Sequence, residues 1–280
     1  MLHSFGASPT DGIYPWAGLA RGVNGALFGT TENGGSLNFG TAFEVSAAGK
    51  YGVAHNFGGS AYDGSDPGGG VITDAAGNLY GTTTLGGDDN CNQGIGCGIV
   101  FHLDKTGAET VLHNFTGIPD GASPWANLLL DAAGNLYGTT DGGGDYGCSY
   151  EGGSGGSCGT VFELTSAGEE TVVYAFTGGA DGGNPYRSGV VMDPKGDLYG
   201  TTFQGGTSTP YDCFLDGTTN GCGVVFEVSS AGKETVLHTF TGAPDGGMPL
   251  AGLVFSKGAL YGTTSSYGAN YCGTVFKITP

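Results

Sequence analysis

ANLLLDAAGNLYGTT (residues 126–140) and GTVFELTSAGEETVVYAF (residues 159–176) hold four short segments, ANLLLD, NLYGTT, GTVFEL and ETVVYAF. Each alternates or runs apolar over about five residues and is bounded by Gly, Asn, Asp or Pro, the pattern of β-strands rather than of a helical face. The turns DAAGN and TSAGE join the segments in pairs and are short and polar, as hairpins require. Between the two hairpins lies a glycine-rich insert, residues 141–158, that carries two cysteines.

The frame recurs as FGTTENGGSLNFGTAFEV (28–45), YGTTTLGGDDNCNQGIGCGIVFHL (80–103), YGTTFQGGTSTPYDCFLDGTTNGCGVVFEV (199–228) and YGTTSSYGANYCGTVFKI (261–278). Four antiparallel strands repeating every roughly 50 to 65 residues are the signature of a propeller blade, whose sheet stacks on its neighbours around a shared core. An open solenoid is the rival. The last copy stops after its third strand, GTVFKITP, while the first is preceded by an orphan LHSF that matches LHNF at 112–115 and LHTF at 237–240. The expectation is an all-β, five-bladed β-propeller of four-stranded antiparallel blades, the last blade closed by the N-terminal strand. It is read as a single domain over 1–280, with blades near 11–58, 63–117, 120–178, 181–242 and 245–280 plus 1–6.

Sixty glycines suggest low complexity, but 38% hydrophobic residues with 15 Phe and 14 Tyr argue for a packed protein whose glycines sit in turns. With 26 acidic against 8 basic residues the formal charge is −18, which disfavours nucleic acid or an anionic membrane surface as a partner. No apolar run approaches the roughly 18 residues of a membrane span. MLHSFGASPT also lacks the basic start and apolar stretch of a signal peptide. The expectation is an extracellular or cell-surface monomer, not inserted in a membrane, with any export signal removed before Met1.

Six of the seven cysteines fall as one pair per insert, Cys91 with Cys97, Cys148 with Cys158 and Cys213 with Cys222. Disulfides that close short loops belong to oxidising compartments. Closing a loop of about ten residues contributes roughly 2 to 3 kcal/mol in the chain-entropy account. Cys272 stands in the slot of a second cysteine, but SSYGANY ahead of it offers no partner, so a free thiol is expected. The cysteine spacings are not those of zinc knuckles and no histidine lies near them; neither a metal nor a cofactor is expected.

LYGTTxxGG followed by GTVFEL and then GxETVLHxFTG resembles the Gloeo-Verruco tandem repeat of exported bacterial proteins, over essentially the whole chain. The resemblance implies an extracytoplasmic setting. It brings no catalytic residues with it.

A blade sends alternate connections to opposite faces. One face receives the near-identical turns DAAGN and SAGKE; the other receives the inserts and the linkers GIPDGASPW, GGADGGNPY and GAPDGGMPL. Binding residues favour variable loops on a rigid scaffold, which points to the second face. His3, His55, His113 and His238, with Tyr174 in the remaining copy, recur once per outermost strand, so a repeated packing or hydrogen-bonding role is expected of them rather than metal binding. The Asp of the DGxxP linkers (Asp11, Asp63, Asp120, Asp181, Asp245) is read as a turn-former. Thr-Thr pairs such as Thr139 and Thr140 are read as ladder and blade-to-blade contacts.

After the linker Pro the copies carry Trp16, Gly68, Trp125, Tyr186 and Leu250, so an aromatic ring is not required there by the architecture. Flat aromatic faces beside amide and guanidinium groups suit a sugar ring. Trp16, Trp125, Asn127, Tyr186 and Arg187 are therefore the expected glycan-binding set, with core packing of the same rings as the open alternative. A glycoside hydrolase would instead use carboxylates on the same face, the candidates being Glu32, Asp141, Asp145 and Glu151. A surface structural or adhesion scaffold needs no such site.

Overall fold

The computed structural model describes residues 1–280 except 60–61, 145–156, 207–212, 216–217 and 220. Among the described residues the only helical element is the short 3-10 turn Asn92–Gly94. The chain forms two compact units, one of residues 1–117, 122–136 and 164–170, the other of residues 118–121, 137–163 and 171–280.

The first unit contains two complete antiparallel sheets. One runs Ala20–Arg21, Leu27–Thr31, Thr41–Val45, Tyr51–Asn56, and the other Ile72–Thr73, Leu79–Thr83, Ile99–Leu103, Glu109–Asn114, each in chain order. The second unit holds the four-stranded sheet Val191–Met192, Leu198–Thr202, Val224–Val228, Glu234–Thr239 and the three-stranded sheet Val254–Ser256, Ala259–Thr264, Thr274–Ile278. The third repeat, Leu129–Leu130, Leu136–Thr140, Thr160–Leu164 and Glu170–Ala175, has the same meander order, and the division of the chain falls within it. Short ribbons such as Gly12–Ile13 with Asn33–Gly34 and Gly64–Ser65 with Leu85–Gly86 tie each linker to the insert of its own repeat.

Local chemistry explains these elements. In the DAAGN turns one aspartate oxygen accepts two backbone N–H groups, Ala76 and Asn78 on Asp74 and Ala133 and Asn135 on Asp131, while Gly77 and Gly134 supply φ of +87°. The Gly of GTT leaves space for a ring: a Cβ on Gly81 would lie 2.6 Å from Phe101 Cζ. A bulge at Ala42/Phe43, Val100/Phe101 and Val225/Phe226 repeats at one position of the third strand.

Repeats join through rings and hydroxyls. The Phe ending one outer strand packs on the third-strand Phe of the next repeat, Phe57 on Phe101 and Phe176 on Phe226, both with centroids 5.0 Å apart. The first Thr of GTT donates across the seam, Thr30 to Gly69 O at 2.7 Å and Thr139 to Ser188 O at 2.9 Å. The second Thr bonds within its own sheet, Thr31 to Thr41 and Thr140 to Thr160 at 2.8 Å and Thr264 to Thr274 at 2.9 Å.

Among the described residues the last sheet has three strands. That sheet ends at Thr274–Ile278, and residues 1–6 adopt no strand conformation. Val275 is 82% exposed where its counterparts Val100 and Val225 are fully buried. The N-terminal side chains are engaged in the first unit: His3 stacks on Tyr51 at 3.5 Å, and Phe5 meets Phe43 at 5.0 Å in the contact that Phe57 makes with Phe101.

Candidate ligand-binding site

The residue before each linker Pro adopts the left-handed conformation in all five repeats: Tyr14, Asp66, Ser123, Asn184 and Met248 have φ between +51° and +61°. This region is uncommon for residues other than glycine, and here hydrogen bonds on both sides hold it. The backbone N–H reaches the preceding repeat, Asp66 to Phe39 O, Ser123 to Cys97 O, Asn184 to Cys158 O and Met248 to Cys222 O, at 2.7 to 2.9 Å. The carbonyl accepts from the residue after GTT of its own repeat, as Tyr14 O does from Glu32 and Asn184 O from Phe203. The turn fixes where the next side chain but one, the variable post-Pro residue, emerges.

Three of those acceptor carbonyls belong to insert cysteines. Cys91–Cys97 and Cys213–Cys222 are disulfides with Cα separations of 5.6 and 5.3 Å, and Cys158 is also disulfide-bonded. Cys148 lies outside the described residues. The staple therefore also anchors the carbonyl that positions the neighbouring linker turn, a role the cysteine spacing did not reveal. Cys272 is an exposed free thiol, as expected.

At the first linker, Trp16 is 59% exposed, lies nearly parallel to Tyr14 with centroids 6.0 Å apart, and donates its indole N–H to Glu32 Oε2 at 2.5 Å. Asp66 is the carboxylate within electrostatic reach of Glu32; burial, and then the Glu32 charge, raises its pKa above the ordinary value. Asp66 is not among the carboxylates that the sequence pointed to, although its distinguishing feature, an acid directly before a linker Pro, is visible in DGSDPGG.

Trp125 is half-buried, and a Cβ on Gly68 would come within 2.2 Å of its Cε3. Its indole thus covers the neighbouring repeat's backbone. Asn127 is exposed, and its Oδ1 accepts from Gly70 N at 2.6 Å. In the second unit Arg187, with φ +58°, places its guanidinium carbon 5.2 Å from the centroid of the Tyr186 ring. Burial pushes the Asp141 carboxyl up to about 6, opposed by a hydrogen bond from Asn184. Asp145 and Glu151 lie outside the described residues. The structure thus groups Trp16 with Glu32 in the first unit and Tyr186 with Arg187 in the second.

On the side of the DAAGN and SAGKE turns, where little chemistry was expected, the first unit has a cavity of about 380 Å³ lined by Val23, Phe28, Glu44, Val53, Leu103 and Lys105 among others. The near-identical turns gave no sign of it, because its lining comes from two repeats, residues 22–54 and 76–107.

In three repeats the outer-strand and linker residues are hydrogen-bond partners. His3 Nε2 lies 3.0 Å from Asp11 Oδ2, Tyr174 donates to Asp181 at 3.0 Å, and His238 Nε2 lies 3.1 Å from Asp245 Oδ2. The aspartates also accept from the N–H four residues earlier, Ala7, Thr177 and Thr241, which closes the turn.

The repeat family described as Gloeobacter/Verrucomicrobia repeat matches residues 1–146 and 145–280. No curated protein matches the chain. Among solved structures, a gluconolactonase from Xanthomonas campestris is similar at 13% identity and a TM-score of 0.50, over 96% of this chain and 77% of that one. A structural-genomics protein described as a putative gluconolactonase is similar at 13% identity and a TM-score of 0.50, over 99% and 83%. At this identity the likeness shows the fold, a propeller of antiparallel sheets. Among the described residues no helix is long and apolar enough to cross a membrane.

Proposed function

The chain belongs to the Gloeobacter/Verrucomicrobia repeat family, and from that premise we propose that it is an exported carbohydrate-binding protein built on a five-bladed propeller. The insert disulfides support export. The five recurrences of the linker turn support five blades. Closure of the ring would pair Leu2–Phe5 with the free edge at Thr274–Ile278, and the Phe5–Phe43 contact, repeating Phe57–Phe101, supports it.

The observation that carries the binding reading is Trp16. A broadly exposed indole beside a parallel Tyr14 ring gives the C–H face of a sugar something to stack on, and Glu32, oriented by the indole N–H, accepts from hydroxyls at the rim. The test is a glycan panel read by tryptophan emission in a Trp125→Phe background, where Trp16 alone reports. Binding should shift that emission, and Trp16→Ala, with affinity read by calorimetry, should weaken binding by about 1 to 2 kcal/mol without changing the melting temperature. Undiminished affinity in Trp16→Ala would overturn the assignment.

One observation favours a second reading, glycoside hydrolysis. Asp66, its carboxyl raised by burial and by the Glu32 charge, lies within electrostatic reach of Glu32, and two carboxyl groups so placed can serve as acid and base. Release of reducing ends that Glu32→Gln abolishes would establish it. The Xanthomonas campestris protein is a gluconolactonase, but that likeness reaches this chain through the fold alone.

A further inference from the structure

We propose that His55, Asp63 and Glu109 form a binding site for a divalent first-row metal ion, with Zn²⁺ the best match, at the seam between the first two repeats. This departs from the expectation that the outer-strand histidines only pack or hydrogen-bond. His55 lies on the strand Tyr51–Asn56, Asp63 in the linker and Glu109 at the start of the strand Glu109–Asn114, so one ion would hold three separate pieces of chain.

Three other repeats act as internal controls. Where the frame carries His3 with Asp11, Tyr174 with Asp181, or His238 with Asp245, donor and acceptor meet at 3.0 to 3.1 Å. At the second linker they stand apart: His55 Nε2 is 3.9 Å from Asp63 Oδ1 and 3.9 Å from Glu109 Oε2, beyond hydrogen-bond reach. His55 Nε2, Asp63 Oδ1 and Glu109 Oε1 are all buried without a hydrogen-bond partner, and the Asp63 side chain is only 6% exposed. One ligand atom from each residue lies within 4.8 Å of the others.

The surroundings orient these atoms. Asp63 Oδ2 accepts from Gly59 N at 2.6 Å, which turns Oδ1 toward the imidazole. The imidazole also bonds the Gly107 backbone, leaving Nε2 for the cluster. A neutral ring that gives its proton to Gly107 presents a lone pair at Nε2, the usual state of a metal-binding histidine with a second-shell carbonyl. That lone pair then faces carboxylate oxygens of Asp63 and Glu109. Two carboxylates balance a dication, and imidazole with carboxylate oxygens is a zinc donor set whose remaining position water can fill. Tetrahedral zinc ligands at about 2.1 Å are roughly 3.4 Å apart, so the 3.9 Å separations need close by only about half an ångström. In the first repeat the Glu109 position is Tyr51, whose ring stacks on His3.

The same three residue types, His113, Asp120 and Glu170, occur in the next repeat of the sequence. The experiment therefore reads a difference in stoichiometry. Full-length protein stripped with EDTA is titrated with Zn²⁺ by calorimetry, and with Co²⁺ followed by visible absorption. Glu109→Tyr, which copies the first repeat's own solution, should keep the wild-type melting temperature in EDTA yet bind one metal ion fewer per chain. Zn²⁺ should raise the melting temperature of the wild type more than that of the variant. Should Glu109→Tyr fail to fold, the isosteric Glu109→Gln decides by the same loss. Equal stoichiometry in wild type and variant, or no Zn²⁺ uptake by the wild type, would overturn the site.

Discussion

Gly68 stands where neighbouring repeats have Trp16 and Trp125, and the reason is Trp125 itself. With only 2.2 Å between a Cβ at Gly68 and Trp125 Cε3, the bare backbone is what lets the indole lie flat across the seam. Gly68→Ala should therefore destabilise the protein by about 1 to 3 kcal/mol, as overpacking does, and should move the Trp125 emission, read in a Trp16→Phe background. Unchanged stability and emission would show the ring to be loosely held. Part of this was legible in the sequence, since the two tryptophans depart from the repeat at one position. Which of them faces solvent was not legible, because it depends on the residue that the adjacent repeat places opposite. The His55–Asp63–Glu109 grouping was hidden for the same reason: its members come from two repeats, and each alone reads as a turn-former or a surface strand residue.

The N-terminal segment is the element whose sequence said most and whose structure says something different. LHSF is visibly an outer-strand motif, and Phe5 takes the corresponding place against Phe43, yet residues 1–6 form no strand. Side-chain packing is encoded locally by the Phe spacing, whereas strand pairing needs a partner distant in the chain. Removing residues 1–8 would uncover Phe43, now only 3% exposed, and unstack Tyr51 from His3, so a loss of about 3 to 5 kcal/mol is expected in thermal or urea unfolding. Hydrogen exchange on the same truncation tests closure: in a closed ring, amides of Thr274–Ile278 lose protection when the segment goes, and unaltered exchange there would rule the pairing out. The long strands were legible from alternation and turn residues. The two-residue ribbons beside the inserts were not, because glycine-rich ends such as Gly12–Ile13 and Leu85–Gly86 carry no period.

Across the whole molecule the formal charge of −18 makes protonation a matter of stability. Burial and then the Asp181 charge push the Glu234 carboxyl up to about 7 from 4.5, and burial pushes that of Asp141 up to about 6 from 3.8. A raised carboxyl binds its proton more tightly in the folded state, so its stabilising effect is full below the free value and disappears as pH climbs through the folded one. Asp74 works in the other direction: although burial opposes it, hydrogen bonds from Asn78 and Ala76 lower its pKa, and that contribution is lost in acid below 3.8. The melting temperature should therefore fall between about pH 5 and pH 8, and Glu234→Gln should flatten the decline. A profile that rises over this range, or one that Glu234→Gln leaves unchanged, would contradict the assignment. A different consequence follows from the paired threonine hydroxyls, Thr31 with Thr41, Thr140 with Thr160 and Thr264 with Thr274. Each pair is a gate of constant width through which the insert leaves its sheet and returns, whether nine residues pass between Thr31 and Thr41 or nineteen between Thr140 and Thr160. The inserts are in that sense interchangeable cartridges, and the fold is a ready-made display scaffold into which peptides of unrelated sequence can be grafted.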